Sequence, residues 1–344
     1  MNAALHGPVK GKQSLPLESR IPVSAWIFAG AFVAMVASGC DQAPQRELRL
    51  AINPWPGYEF LYLAQQKGFF EQEKCNVRLI EYASMSDCRM AFENGQVDAM
   101  ACSLIEVLQA RENSKRLPQI AVVTDYSNGA DVIMAHSRFA TLSALKGHRV
   151  GLELGSLGDF MLYRALELHG MQLSDVKLVS CTPENLEAAL ANGEIEAAVT
   201  YPPTSVHLEA GGQMRRLFSS AEIPGEVVDV VAVDAPVLQR DPELPARLSR
   251  ALQRAQEYAR AHPQDAYAIM GQRQGISAAQ FEQALGGIRL VDVAGQKAFF
   301  GAQGSLLRSL GQVDRTLRSA GHLHTPLVLA DLVAAPPEPE EKQN

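Results

Sequence analysis

The chain has 344 residues, of which 47% are hydrophobic, and it carries a formal net charge of −7 at pH 7. This acidic balance excludes a nucleic-acid binder of the usual kind, because such proteins need clustered Lys and Arg. The length suits one large domain or two smaller ones, and the apolar content is sufficient for a sizeable core.

The N-terminus has the parts of a secretory signal. Basic residues precede an uncharged run over residues 21–39, which ends in Ala37-Ser38-Gly39-Cys40. Small residues directly before a Cys resemble the lipobox of bacterial lipoproteins, which implies cleavage before Cys40 and lipidation of its sulfur. The sequence leaves one alternative open, a single uncleaved transmembrane anchor, since the run is near the ~20 residues that span a bilayer.

Both readings place the rest of the chain outside the cytoplasm and attached to a membrane. Asp41 resembles the signal that keeps enterobacterial lipoproteins at the inner membrane, although a solvated linker residue explains it equally well. We expect a signal peptide over residues 1–39 and a lipidated linker over residues 40–47. The predicted location is the periplasmic face of the inner membrane.

After the linker, short apolar strands alternate with helical patterns. The predicted strands cover residues 48–53, 77–82, 98–102, 120–124, 149–153, 177–181 and 196–200. The segment 160–168 has apolar side chains at helical spacing and is followed by Gly170 as a stop signal. Alternation of strands and helices predicts an α/β fold with parallel sheets covered by helices on both faces.

From residue 244 onward the pattern is helical. Two apolar faces recur at helical spacing: Leu244, Leu248, Leu252 and Ala255, and then Leu306, Leu310, Val313 and Leu317. The Pro- and charge-rich end, residues 335–344, is predicted to be a disordered tail.

Four cysteines follow Cys40 in the sequence, namely Cys75, Cys88, Cys102 and Cys181. No Cys-x-x-Cys motif occurs, so the spacing of a zinc site is absent. An oxidising compartment permits disulfides, and the sequence leaves the pairing open. Cys102 and Cys181 lie in apolar strand-like runs, where small buried residues are expected.

An internal repeat links the two halves of the predicted sheet region. Residues 91–99 (AFENGQVDA) match residues 189–197 (ALANGEIEA), each a helix end, an Asn-Gly turn and an entering strand. About 50 residues before each copy, a strand enters a Gly-containing turn. Similar units at a fixed offset predict two similar lobes, unless the match between two βα units arose by chance.

The stretch 48–59 (LRLAINPWPGYE) resembles the opening of type II periplasmic binding proteins of the nitrate/sulfonate/taurine and thiamine-precursor class. Further matches follow in the family's order up to about residue 275: Leu63-Ala64, Lys67-Gly68-Phe69-Phe70, residues 95–99, residues 125–131, Leu145-Lys146-Gly147, Thr200-Tyr201-Pro202 and residues 220–225. Cys75 departs from the Gly that often precedes the family's second strand.

The resemblance implies two α/β lobes joined by two crossover segments, with a ligand between them. Crossovers near Asp131 and Asp229 make the first lobe discontinuous. The predicted division is residues 48–131 for the first part of lobe 1, 132–229 for lobe 2, and 230–334 for the rest of lobe 1 with the C-terminal helices.

Ligands of open parallel sheets lie beyond the carboxyl ends of the strands. The residues predicted there to bind ligand include aromatic side chains with polar tips, a strand-to-helix turn with free N–H groups, and carboxylates. They are Trp55, Gly57, Tyr58, Ser103, Asp125, Tyr126, Asp131, Gly155, Ser156, Tyr201 and Asp229. For Ser156, a structural role remains open, because Ser156 and Asp159 have capping-box spacing.

The loops at these strand ends are strongly acidic. Their acids are Glu59, Asp125, Asp131, Glu153, Glu222, Glu226 and Asp229, against a single basic residue, Arg89. Carboxylates suit a cationic ligand or a neutral amine or amide, whereas an anion would need donors or a cation. We therefore expect a small polar solute of that kind.

Catalytic signatures are missing, since the sequence contains no Gly-x-Ser-x-Gly, no phosphate-binding Gly-rich loop and no His-Glu-x-x-His. We predict a monomeric solute-binding lipoprotein without catalytic residues, metal or cofactor, which delivers its solute to an ABC-type permease. Two alternatives remain: a ligand-sensing subunit of a membrane receptor, and an enzyme built on the same fold.

Overall fold

The computed structural model describes residues 46–301 and 304–334. The strands are β1 (Leu48–Ile52), β2 (Val77–Glu81), β3 (Ala99–Ser103), β4 (Pro118–Ser127), β5 (Val132–His136), β6 (Arg149–Leu152), β7 (Lys177–Ser180), β8 (Ala197–Thr200), β9 (Met214–Ser219), β10 (Val228–Asp234) and β11 (Ile288–Leu290).

Helices connect most of these strands and form the C-terminal part of the chain. They are α1 (Glu59–Gln66), α2 (Phe69–Gln72), α3 (Met85–Glu93), α4 (Leu104–Asn113), α5 (Leu157–Leu168), α6 (Leu186–Ala191), α7 (Thr204–Ala210), α8 (Ala235–Arg240), α9 (Leu244–Ala261), α10 (Pro263–Arg273), α11 (Ala278–Leu285), α12 (Val293–Phe300) and α13 (Ser305–Ser319). Short 3-10 helices lie at Leu142–Leu145, Leu173–Asp175, Pro183–Asn185, Ser220–Glu222 and Leu329–Leu332.

The strands form two mixed sheets. The first has the order β11-β4-β10-β3-β1-β2, and the second has the order β7-β6-β8-β5-β9. In the first sheet β1 is parallel to β2 and β3, while β10 is antiparallel to both β3 and β4. In the second, β6 is parallel to β7 and β8, while β5 is antiparallel to β8 and β9.

The chain passes between the sheets twice, over residues 128–131 and again over residues 220–227. The first passage ends at Asp131, one residue before β5. The second passage ends at residue 227, directly before β10. Asp229, near which this crossover was expected, lies inside β10. The exact lobe bounds remain a prediction.

All seven predicted strands are present, with ends that differ by at most three residues. The sequence reasoning missed β5, β9, β10 and β11, and the sheets expected to be parallel are mixed, because both also contain antiparallel pairs. Three of the missed strands, β5, β9 and β10, flank the two passages between the sheets. They are antiparallel to their neighbours, so they fall outside the strand-helix-strand pattern on which the prediction depended.

The internal repeat appears as the same ion pair in both sheets. The Arg49 side chain donates to Asp98 and to the Gly95 carbonyl, and its backbone N–H also donates to Asp98. Arg149 makes the corresponding bonds to Glu196 and to the Gly193 carbonyl. Each arginine at the start of a strand thus ties the Asn-Gly turn to the strand that follows it.

The amphipathic C-terminal helices cover the sheets as their patterns predicted. The predicted apolar faces of α9 and α13 are buried at every position, with at most 4% exposure. α13 packs against both α4 and α5, and residues of both sheets share one continuous apolar cluster with it. The four cysteines within the described residues are unpaired; Cys181 is half-buried and the other three are buried.

The predicted signal peptide, the lipidation site Cys40 and the predicted tail lie outside the described residues. Among the residues that the structure describes, no helix is both long enough and apolar enough to cross a membrane.

Candidate functional site

Three polar side chains stand in a row across the middle of the first sheet. In the strand register Asp229 of β10 lies opposite Ser103 of β3 on one side and opposite Asp125 of β4 on the other. Residues directly opposite each other in antiparallel strands point to the same face. Ser103, Asp125 and Asp229 therefore form one polar row, and each is at most 1% exposed.

Two aromatic side chains hold the carboxylates of this row. The Trp55 Nε1–H donates to Asp125 Oδ1 at 3.0 Å, and the Tyr58 hydroxyl donates to Asp229 Oδ1 at 2.7 Å. Both aromatic residues follow β1, where the chain turns into α1. The second oxygen of each carboxyl, Oδ2, is buried without a hydrogen-bond partner.

A third buried carboxyl faces the same region from the passage into the second sheet. Asp131 is 2% exposed, and its Oδ2 also has no partner. Its backbone N–H donates to the Ser127 hydroxyl, and its carbonyl accepts from the Ser220 N–H. Backbone contacts thus fix Asp131 at the crossover, while its carboxyl keeps an unused acceptor.

Burial makes all three carboxyls weak acids. It raises the pKa of Asp125 to about 6 against the opposing effect of the Trp55 bond, and it raises the pKa of Asp131 to about 7. Burial, and after it the charge of Asp125, raises the pKa of Asp229 well above its ordinary value. Since the two buried carboxyls lie opposite each other on neighbouring strands, the pair retains a proton near neutral pH.

Gly57 is required by the close approach of the backbone to this row. A Cβ at this position would lie 2.1 Å from Asp125 Oδ2 and 2.7 Å from Trp55 Nε1. Any side chain would therefore displace the Trp55–Asp125 hydrogen bond. The Trp-Pro-Gly-Tyr turn brings together two aromatic donors and a glycine that leaves space for Asp125, the acceptor of the Trp55 bond.

The second sheet supplies the facing wall. Tyr201, directly after β8, meets Trp55 edge to face at 5.9 Å between ring centroids. Next to it lies a cavity of about 20 Å³, room for about one water molecule. Its lining combines polar groups with apolar walls: Asp131, Glu153, Ser156, Thr200, Tyr201, Met85, Leu157, Gly158, Met161, Pro183, Leu186 and Val199.

Sequence reasoning missed Glu106, a fully buried acid at the start of α4. One of its carboxyl oxygens accepts from the backbone and hydroxyl of Ser103, and the other accepts from the Ser156 hydroxyl at 2.7 Å. Ser103 and Glu106 form a capping box, and their spacing is visible in the sequence. The bond to Ser156, which belongs to the other sheet, has no signal in the sequence.

The capping box of Ser156 and Asp159, the structural alternative to a ligand-binding role, does not form. The Ser156 hydroxyl makes no cap bond to α5 and points to Glu106 instead, while Asp159 accepts from the Gly155 N–H. Because the Gly155 N–H donates to Asp159, it is not free for a ligand. The sequence had suggested that this N–H was available at the turn.

The four glutamates among the seven acids expected around the cleft have partners within the protein. Glu59 pairs with Arg273, Glu226 with Arg164, Glu222 with the Ser219 N–H, and Glu153 with the backbone and hydroxyl of Ser86. The three aspartates are the acids of that set that keep an unpartnered carboxyl oxygen.

Tyr126 is not brought to the row. It follows Asp125 on β4, so its side chain points to the opposite face, where its ring lies 6.3 Å from that of Phe299. Arg89 is paired with Glu93. No Lys, Arg or His lines the cavity, and the described part of the chain holds no cluster of His, Cys, Asp and Glu suited to a metal ion.

Comparison with known proteins agrees with this architecture. The profile of the NMT1/THI5-like family matches residues 55–266, which include the Trp-Pro-Gly-Tyr turn, the three aspartates and Tyr201. The chain belongs to the NMT1/THI5-like family.

A curated relative of this family member is the 4-amino-5-hydroxymethyl-2-methylpyrimidine phosphate synthase of Aspergillus parasiticus. It is 25% identical over 231 residues, which cover 62% of this chain and 66% of the relative. The chain thus matches about two thirds of the length of that protein.

Two solved structures share the fold. The alkanesulfonate-binding protein SsuA of Xanthomonas axonopodis pv. citri, bound to MOPS, superimposes with a TM-score of 0.72 at 19% identity, covering 85% of this chain and 99% of SsuA. The aliphatic sulphonate-binding SsuA of Escherichia coli gives 0.70 at 16% identity, covering 84% and 97%. The predicted α/β fold, that of the periplasmic binding proteins, is confirmed.

Proposed function

We propose that this NMT1/THI5-like protein is an extracytoplasmic, lipid-anchored solute-binding protein that delivers a small solute rich in N–H donors to an ABC-type permease. One observation carries the choice of solute. The buried Oδ2 atoms of Asp125, Asp131 and Asp229 lack hydrogen-bond partners. A buried acceptor without a partner costs about 1–3 kcal/mol, and a donor on a bound solute removes that cost.

The aromatic groups suit a flat solute with polar edges. Trp55 and Tyr201 meet edge to face next to the aspartates, and aromatic faces favour contact with planar, partly apolar rings. The binding residues we propose are Trp55, Gly57, Tyr58, Ser103, Asp125, Asp131, Gly155, Ser156, Tyr201 and Asp229. Since the cavity holds about 20 Å³, a solute with several non-hydrogen atoms requires its walls to separate.

An anionic solute is disfavoured by the same row. A desolvated sulfonate beside three carboxyls would need a compensating cation, and no Lys, Arg or His lines the cavity in the described residues. The SsuA structures are named as sulfonate binders, but at 16–19% identity they support the fold and not the solute.

The name of the Aspergillus synthase suggests a specific compound to test. An aminopyrimidine is planar, and its exocyclic amino group and protonated ring nitrogen form a pair of donors that matches a carboxylate. In a thermal-shift screen of the purified protein, we expect 4-amino-5-hydroxymethyl-2-methylpyrimidine, or another amine, amidine or amide of similar size, to stabilise the fold at micromolar concentration. Stabilisation by MOPS or an alkanesulfonate, with no response to any amine, would overturn the proposed solute class.

A substitution tests the residue that makes the contact. If Asp125 accepts from a charged donor, Asp125→Asn weakens binding of the stabilising amine by about 1.5–3 kcal/mol in calorimetry. Glu222→Gln is a matched control, because Glu222 is exposed and accepts from the backbone of its own turn. Equal affinity of the wild type and Asp125→Asn would exclude Asp125 from the site.

An enzymatic role is the second candidate, favoured by the synthase name of the Aspergillus relative. Mass spectrometry of the stabilising compound after prolonged incubation with the protein separates the two functions. A binding protein returns the compound unchanged in an amount equal to that added, whereas conversion in more than stoichiometric amounts would favour the enzyme.

A further inference from the structure

One carboxylate reaches across the cleft to the start of a helix on the other sheet. Glu153 directly follows β6 of the second sheet, and its Oε1 accepts from the Ser86 N–H at 3.3 Å and from the Ser86 hydroxyl. Ser86 lies in the first turn of α3, whose N-cap Ser84 contacts the Ser86 hydroxyl at 3.0 Å. An anion at a helix N-terminus is stabilised by the helix dipole and the free N–H groups.

The strand order places this contact at strands that carry neither passage of the chain. Both passages begin or end at β4, β5, β9 and β10. α3 packs against β3 and β1 of the first sheet, and β3 separates β1 from β10. β6 is separated from β5 by β8. The Glu153–Ser86 contact therefore joins the two sheets at elements outside both covalent connections.

The contact between Glu106 and Ser156 also joins the two sheets at helix starts, but it has a different position. Glu106 and Ser156 begin α4 and α5, which pack against each other and against α13 within the shared apolar cluster. Separating these helices exposes apolar surface, so the packed side resists opening. The Glu153–Ser86 contact has polar partners and a half-buried carboxylate, and water replaces its bonds at low cost.

We propose that Glu153 and Ser86 form a latch that holds the two sheets together at the mouth of the cleft, while α4, α5 and α13 form the pivot. In this role Glu153, which also lines the cavity, controls how often the cleft opens. The latch governs motion of the protein without solute. It can be absent while the proposed solute class holds, and it can be present while the proposed solute class is wrong.

Hydrogen exchange of the full-length protein in detergent, read by mass spectrometry without added solute, tests the latch. Glu153→Ala and Ser86→Ala should each raise exchange about tenfold both in the first turn of α3 and in residues 153–157, because opening uncovers both sides. The double variant should exchange no faster than the faster single variant, since both changes remove the same contact. Peptides from α9 serve as an internal reference for global unfolding.

Glu196→Ala is the matched control. It breaks the ion pair of half-buried Glu196 with Arg149 within the second sheet and should leave exchange in α3 unchanged. Glu153→Gln, a milder change, covers the case in which Glu153→Ala raises exchange in α9 as well. Exchange that rises only on the side carrying the substitution, or that multiplies in the double variant, would show that the contact is local and would overturn the latch.

Discussion

At the scale of single residues, the site depends on keeping acids where water cannot reach them. Asp125 and Asp229 lie opposite each other on neighbouring strands, an arrangement that destabilises a sheet when both are charged. Burial raises the pKa of each, and the pair relieves the repulsion by retaining a proton. A solute that brings a cation or N–H donors replaces that proton, which links binding to pH.

The buried acids make stability depend on pH with a definite sign. Between pH 4 and 7 folded Asp131, with a pKa of about 7, keeps a proton that the unfolded chain loses near its ordinary value of 3.8. The free energy of unfolding therefore falls as pH rises through this window, and above it the folded state holds a buried charge.

Asp131→Asn should reduce this dependence and stabilise the protein at pH 8 by roughly 2–4 kcal/mol in urea unfolding without solute. The exposed acid Glu282 provides the comparison, since Glu282→Gln should leave the pH profile as it is. An identical profile for wild type and Asp131→Asn would mean that the Asp131 carboxyl is not a weak acid in the fold.

At the scale of elements, two helices begin at the cleft and their first serines have different roles. Ser103 caps α4, because its hydroxyl accepts from the Ile105 N–H while Glu106 reaches back to the Ser103 backbone. Ser156 occupies the N-cap of α5 without capping it, and its hydroxyl donates across the cleft to Glu106. One serine thus stabilises a helix, and the other joins the two sheets.

This difference predicts different costs for the same substitution. Ser103→Ala removes the N-cap, which costs about 1–2 kcal/mol, and also a donor to Glu106, whereas Ser156→Ala removes only a donor to Glu106, about 1–3 kcal/mol for a buried acceptor left without a partner. Ser277, the cap of α11, calibrates the cap effect at a distance from the cleft. Denaturant unfolding of the three alanine variants gives the comparison, and a larger loss for Ser156→Ala than for Ser103→Ala would contradict it.

At the scale of the whole molecule, the two sheets are tied by two passages of chain, by the shared core around α13 and by polar contacts across the cleft. Such an arrangement permits hinge motion, in which a few connecting residues absorb the change and the sheets move as units. Attachment to a membrane would keep the cleft near a permease.

The membrane attachment is tested through its predicted anchor. If Cys40 receives the lipid, Cys40→Ser should abolish labelling by a radioactive fatty acid and leave unprocessed precursor in cells. Cys75→Ser should label like the wild type, because Cys75 is buried in the fold. Equal labelling of Cys40→Ser and the wild type would exclude lipidation at Cys40.

The sequence by itself determined those features that depend on neighbouring residues. The parallel strands were visible as apolar runs before helical patterns, and the faces of α9 and α13 were visible because side-chain spacing follows the helix period. The Asn-Gly repeat predicted two similar units, and the ion pairs Arg49–Asp98 and Arg149–Glu196 occupy equivalent positions in them. Local periodicity and turn chemistry are enough for such features.

Only the tertiary structure decided which of the acids are paired within the protein and which keep an oxygen for a ligand. Glu59 looked like a member of the acidic rim, yet its partner Arg273 is 214 residues away in the chain. Glu106 was overlooked because its bond to Ser156 joins two sheets, and β10 brings Asp229 opposite Asp125 through an antiparallel pairing that no strand-helix pattern predicts. Whether a carboxylate is paired or left for a ligand depends on partners that the chain brings near only when it folds.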